Sequence, residues 1–162
     1  TAILVGQEIG SGHMDQVYRL GALLDLLAVL FGAAAGALFM GVLHLLFIPV
    51  LYPLFKLSAG AGRICTLMLT IQFCFMPLRS FDTTNIVGVL RGGGDVRMAT
   101  IIDLLPLWVA AIPLAAILGL VVKADILWVY LAMMSENVIK SILGLIRFRS
   151  GKWINDITVA SQ

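Results

Sequence analysis

The sequence predicts an all-α fold: a polytopic membrane helix bundle with about four transmembrane helices. Three observations predict it. Of the 162 residues, 60% are apolar and only 12% are charged, with a mean hydropathy of +1.03, whereas soluble chains carry roughly 25% charged residues. The apolar residues lie in runs long enough to span hydrocarbon, because a core about 30 Å thick needs about 20 helical residues at about 1.5 Å each. Short polar islands separate the runs, the clearest being Arg91-Gly92-Gly93-Gly94-Asp95-Val96-Arg97.

Taken in order, Thr1 to Val5 read as the last turn or so of an apolar element, and the missing start Met suggests a piece of a longer protein. Residues 6–20 are mixed. Gly10-Ser11-Gly12 punctuates the backbone, and Met14, Val17, Tyr18 and Leu20 suit a short amphipathic helix at the membrane interface. The first span is expected over 21–47, with Pro49 and Pro53 stopping or kinking it near Ile48. Residues 56–63, with Gly60 and Gly62, read as a turn. The second span covers 64–90 and is broken by Pro77. After the glycine-rich hinge a third span runs over 98–122, with Pro106 and Pro113. Lys123-Ala124-Asp125 is a tight turn, and the fourth span covers 126–146. The organisation is therefore 1–20, the end of a helix plus a cytoplasmic connection; 21–146, four transmembrane helices; and 147–162, a polar cytoplasmic tail carrying Trp153.

Four spans bring both termini to one side. Arg19, Arg91, Arg97, Arg147, Arg149 and Lys152 fall on that side together with the hinge, and Lys56, Arg63 and Lys123 on the other. The excess of positive charge places the hinge and the C-terminus in the cytoplasm, in a multi-pass protein of the plasma (inner) membrane. Gly32 and Gly36 form a GxxxG pattern, extended by Gly41. Small residues at that spacing let helix backbones approach closely, and tight packing within the chain is the expected use.

Ionisable residues inside spans cost about 2.5–3.5 kcal/mol each on insertion scales and need a reason to be there. In the second span Arg79, Asp82 and Asn85 form a polar stripe just past Pro77. One reading is a cation or proton site, since a carboxylate withdrawn from water can exchange a proton or capture an ion. The other is an Arg79–Asp82 ion pair that neutralises two costly charges. In the fourth span Glu136, Asn137 and Lys140 form a second polar group. Glu136 and Lys140 are in the favourable helical ion-pair order, a structural pair ahead of a transport role. Asp25 and Asp103 read as acids near helix N-termini, favoured by the helix dipole. His44 reads as a hydrogen-bonded packing residue.

Other chemistries lack support. Cys65 and Cys74 are nine apart in one run and read as packing residues, and two distant His make no metal site. The glycine-rich loop lacks the Lys-Ser/Thr of a phosphate-binding loop, and there is no nucleophile motif, so no enzyme and no cofactor are expected. A net charge of +2 without a basic stripe excludes nucleic acid as a partner.

Three segments carry a resemblance to a known family. They are Val5-Gly6-Gln7-Glu8-Ile9-Gly10-Ser11-Gly12, the stretch Phe81-Asp82-Thr83-Thr84-Asn85 through Leu90-Arg91-Gly92-Gly93-Gly94-Asp95, and the segment from Glu136 to Ser150-Gly151-Lys152-Trp153. Together they resemble the C-terminal part of the multidrug and toxic compound extrusion (MATE) transporters. The resemblance implies a twelve-helix, two-lobe fold with alternating access, of which this chain supplies helices nine to twelve and the end of eight. It implies an antiporter that exports cationic or amphiphilic drugs and toxins in exchange for sodium or protons. Asp82 occupies the place of an acidic cation-site residue on the tenth helix of some members, and Gly92, Gly93 and Gly94 would form a hinge. The implied partners are the lipid bilayer, a small amphiphilic substrate and the N-terminal lobe of the same protein. Two alternatives are a lipid-linked oligosaccharide flippase of the same superfamily and a non-transporting membrane scaffold subunit.

Overall fold

The computed structural model describes residues 1–12 and 14–155, with the side chains of Met14 and Asp15 left aside; the end of the expected tail, 156–162, lies outside the described residues. Almost everything described is helical. α1 is Ala2–Gly10. α2 is Met14–Val42 and runs on through a π-helical stretch, Leu43–Leu51, into a last turn, Tyr52–Leu54. α3 is Ala59–Cys74. α4 is Met76–Leu90, π-helical from Thr83 onward. α5 is Val96–Val121 and α6 is Ile126–Arg149. α2, α5 and α6 are each long and apolar enough to cross a membrane, and α3 with α4 makes one bent span. The chain is thus a multi-pass all-α membrane bundle.

Several boundaries differ from the sequence expectation, for physical reasons. The first span does not stop at Ile48. A π-helical turn lets a carbonyl freed by proline find the next N–H along, so Pro49 is carried inside the helix. Met14 to Leu20 are not a separate interfacial helix but the first turns of α2. Only Ser11-Gly12 breaks the chain between α1 and α2, with Gly12 at φ +81°; Gly6 and Gly10 are helical. Gly60 and Gly62 likewise belong to α3, which Ser58 caps by accepting a bond from the Ala61 N–H at 3.3 Å. At the far end Arg147–Arg149 continue α6, and Trp153 of the expected polar tail is fully buried. Its indole N–H donates to the Phe148 carbonyl at 2.9 Å.

The second span breaks at Phe75, where α3 and α4 meet at 46°. Pro77 has no N–H to offer the Phe73 carbonyl, so the α-ladder cannot continue across it. α2 seats on this break. A Cβ on Gly36 would stand 2.6 Å from the Phe73 carbonyl oxygen, and one on Gly32 would stand 2.8 Å from the Pro77 Cα. Further along, Asp25 meets Asn85 and Gly21 meets Val89. The paired numbers 36/73, 32/77, 25/85 and 21/89 describe two antiparallel helices in constant register. Gly41 has nothing within 4 Å of a built Cβ and takes no part, so the close packing stops at Gly36.

The hydrocarbon core sits at one end. Val5, Ile9, Val17, Val89, Leu90 and Phe148 bury around Trp153, with Tyr18, Phe148 and Trp153 stacked in series. Elsewhere large apolar side chains face outward, among them Phe31 at 81%, Leu45 at 81% and Leu120 at 77% exposed. Lipid accepts such faces at no cost, so burial here tracks protein contacts rather than hydrophobicity.

This packing yields a contrast. Gly32→Leu and Gly36→Leu overfill the α2–α4 contact and are expected to lower stability by about 1–3 kcal/mol each. Gly41→Leu is expected to be silent. Thermal unfolding in detergent, read for all three, checks this, and three equal effects would refute the assigned contact.

Candidate functional site

α4 and α6 bring the predicted polar residues together, and α2 and α5 add two that the sequence reading placed elsewhere. Asp82 ends the α-helical part of α4 and is only 6% exposed. Its partner is not Arg79. The hydroxyl of Ser141, on α6, lies 2.5 Å from Asp82 Oδ1 and 2.9 Å from the Asn137 carbonyl oxygen. A hydroxyl has one proton. With Asp82 ionised, two acceptors share it. With Asp82 protonated, the carboxyl donates to Ser141 and Ser141 donates to Asn137, which completes the chain. The polar face of α4 can therefore hold the carboxyl in either protonation state.

Of the two readings of the stripe, the Arg79–Asp82 ion pair does not form among the described residues. Three residues apart on a helix leaves both on roughly one side, yet Asp82 turns into the α6 contact while Arg79 is exposed. They share the wall of a cavity of about 120 Å³, whose other polar lining comes from Thr83, Asp103, Glu136, Asn137 and Lys140.

Asn85 is fully buried, and its amide donates to Asp25 Oδ2 at 2.6 Å. Asp25 is itself 6% exposed. The helix-dipole account of Asp25 fails because α2 starts well before residue 21, which places Asp25 about three turns into the helix. Gly144 of α6 makes room for the pair: a Cβ there would stand 2.9 Å from Asn85 Oδ1. Asp103 is likewise more than a dipole neighbour. It accepts from Lys140 at 3.2 Å and from Arg91 at 3.4 Å, and Lys140 lies 3.8 Å from Glu136. The Glu136–Lys140 pair therefore exists but is the looser of the two bonds Lys140 makes.

Four buried oxygens have no donor: among the described residues, none reaches Asp25 Oδ1, Asp82 Oδ2, Asn85 Oδ1 or Glu136 Oε2, although the last has the Lys140 ammonium 3.8 Å away. These four are acceptors; a fifth buried atom without a partner, Arg91 Nε, is a donor, on a guanidinium that is otherwise bonded to Asp103. Such atoms cost about 1–3 kcal/mol each when left without a partner, and what satisfies an acceptor is a proton or a cation. Asp103 and Glu136 have cationic partners; Asp25 and Asp82 are held by neutral donors only.

The glycine-rich segment is tightly fitted. A Cβ on Gly92 would stand 2.8 Å from the Ala2 Cα, and one on Gly93 would overlap the Trp153 ring. Gly94, at φ +87°, bridges Ile154, and the Asn155 N–H donates to the Gly93 carbonyl at 2.9 Å. Asp95 holds Arg147 at 2.6 Å, which ties this turn to the end of α6. His44 donates from Nδ1 to the Met40 carbonyl at 3.0 Å but remains exposed, at the other side of the fold from the site.

Sequence reasoning missed Ser141, and gave Asp25 and Asp103 a lesser role. One signal for Asp25 was available: a carboxylate midway along an otherwise apolar helix is costly unless something inside meets it.

Comparison with known proteins supports the resemblance drawn from the motifs. The chain is 26% identical over 154 residues, 95% of its length, to the uncharacterized transporter YisQ of Bacillus subtilis. It is 28% identical over 152 residues, 93% of its length, to the probable multidrug resistance protein NorM of Thermotoga maritima. It spans 32% and 31% of the length of these curated relatives. No family model and no solved structure matches it. The chain is thus similar to a segment of proteins that bear transporter and multidrug-resistance names rather than enzyme names.

Two substitutions test the fit of the site. Gly144→Val should displace Asn85 and break its bond to Asp25, and Gly93→Ala should collide with Trp153. Each is expected to cost about 1–3 kcal/mol, visible as a lowered Tm in detergent. For Gly93→Ala, an unchanged Tm would mean that the turn yields freely, as a mobile hinge does.

Proposed function

We propose that this chain belongs to a cation-coupled antiporter that exports amphiphilic and cationic compounds, with sodium or a proton as the coupling ion. The observation that carries this reading is the state of Asp82 and Asp25: two buried carboxylates, held by neutral donors and each keeping one acceptor oxygen without a partner. A structural carboxylate in a membrane is normally matched by a fixed cation. These two are kept ready for a mobile one.

The geometry suggests how binding changes the fold. Asp82 bridges α4 to α6 through Ser141, and Asp25 bridges α2 to α4 through Asn85. A cation or proton arriving on either carboxylate alters the bonds that hold α4 against its two neighbours. Coupling further requires that the ion bind two conformations with different affinity. The bend at Phe75 is the natural place for α3 and α4 to re-angle, because no α-ladder crosses it. Gly92, Gly93 and Gly94 would act as the seat about which α4 and α5 are held. The multi-pass chain would lie in the cell (inner) membrane, its hinge and C-terminus in the cytoplasm, completed by an N-terminal lobe.

The test uses the complete protein, with efflux of a dye measured over a range of external pH and sodium. Asp82→Asn is expected to cut efflux by on the order of tenfold or more, a barrier change of about 1.4 kcal/mol, and to flatten its dependence on both ions. Asp82→Asn keeps a hydrogen-bonding side chain of the same size, so a folded variant is expected. Efflux that responds to pH and sodium as before would remove Asp82 from the mechanism.

A further inference from the structure

A second, larger cavity adjoins the first along α4, with Arg79 and Thr83 lining both, and its electrostatics point to a substrate feature. It measures about 450 Å³ and lies between α2, the end of α3 and the first half of α4. Phe31 and Met76 supply an apolar wall. Arg79, Gln72, Ser80, Thr83 and Thr84 supply the polar one, and Arg79 is the one charged residue among those lining it. Such a mixture suits a ligand with an apolar body and one polar group.

Among the described residues Arg79 has no ionic partner: the ion pairs are those of Arg91, Lys140 and Arg147, and no carboxylate lies within 4 Å of Arg79. Its place makes that costly. Eleven residues separate it from Leu90 at the end of α4, about 16 Å at about 1.5 Å per residue, which is about half of a hydrocarbon core of about 30 Å. A cation at that depth is costly to place in hydrocarbon, and this one is exposed rather than turned inward.

The neighbouring groups are donors as well. The Tyr130 hydroxyl donates to Gln72 Oε1 at 2.9 Å, which occupies the Gln72 acceptor and leaves its amide N–H2 to offer. The guanidinium adds its planar fork, which matches two oxygens of a carboxylate or phosphate at once. The threonine hydroxyls can donate too. A site of donors around an unpaired guanidinium, beside an apolar wall, is built for an anion on a greasy body.

We propose that Arg79 is a specificity-determining residue that binds the anionic group, carboxylate or phosphate, of an amphiphilic ligand in this cavity. The proposal rests on the reading of the chain as part of a transport path and narrows its substrate class. Arg79 then stands between two cavities, the small one that it shares with Asp82 and the larger one that takes the anionic group of the cargo.

The experiment measures binding and export separately, with the complete protein in vesicles of zwitterionic lipid. The probes are a fluorescent amphiphile bearing a carboxylate and its methyl ester. The carboxylate is expected to bind on the order of tenfold more tightly, and Arg79→Gln is expected to bring the ratio of affinities toward one. Arg79→Lys keeps the charge without the fork and is expected to retain part of the preference, which also covers the event that Arg79→Gln does not fold. A ratio near one in the unaltered protein overturns the proposal, as it would if a carboxylate outside this chain neutralised Arg79. A ratio that Arg79→Gln leaves in place overturns it too. Selective binding without export would sink the antiporter reading and leave this assignment standing. Adding anionic phospholipid separates the sources: competition identifies a lipid headgroup as the anion, and no competition identifies a soluble amphiphile, either result supporting the site.

Discussion

Hydrocarbon offers helices no hydrophobic reason to associate, so a membrane bundle depends on close fit and on polar bonds that have nowhere else to go. In this chain both come from one contact, α2 laid antiparallel on the bent α3–α4 span. Gly32 and Gly36 bring backbone against backbone at the Pro77 break. Their spacing then sets the register for everything toward the hinge. Two turns before Gly32, Asp25 comes level with Asn85, and one further turn brings Gly21 under Val89, Phe148 and Trp153. A shift of one residue would carry Asp25 about 100° around α2 and leave a carboxylate pointing into lipid.

The same contact explains how the polar residues are sorted. Those facing α5 and α6 near the hinge end find fixed ionic partners: Asp103 with Lys140 and Arg91, and Asp95 with Arg147. Those between α2, α4 and α6 find neutral ones, Asn85 and Ser141. Fixed pairs hold geometry. A carboxylate bonded to an amide or a hydroxyl, with no cation in direct contact, keeps an acceptor oxygen open to a small ion. The division between holding and binding thus runs along α4, with Arg79 exposed at the edge of the cavity that it shares with Asp82.

Much of this was legible in the chain, and the failures have identifiable causes. The four spans, the break near Pro77 and the packing role of Gly32 and Gly36 follow from hydrocarbon thickness, proline chemistry and glycine size, which act locally. The prolines after Ile48 misled because a π-helical turn absorbs a missing N–H that an α-helix cannot. The late start assigned to the first span put Asp25 at a helix end and so hid it. Arg79 and Asp82, neighbours on one helix, suggested a bond with each other. Which way each points is decided by Ser141, fifty-nine residues away from Asp82, and spacing along a chain cannot show that. Trp153 looked like tail for the same reason: its slot is built from α1, α2 and α4, and only the assembled end of the bundle reveals it.

The bond between Asp103 and Lys140 bears on how the chain enters the bilayer during synthesis. α5 emerges first, carrying an acid whose closest cationic partner belongs to the next helix. Alone, α5 presents Asp103 to the insertion machinery opposed only by Arg91, at a longer distance. Once α6 follows, Lys140 compensates it, and the short turn at Lys123 to Asp125 keeps the two together. Release of α5 and α6 into lipid as a hairpin, rather than one by one, is what this pairing favours.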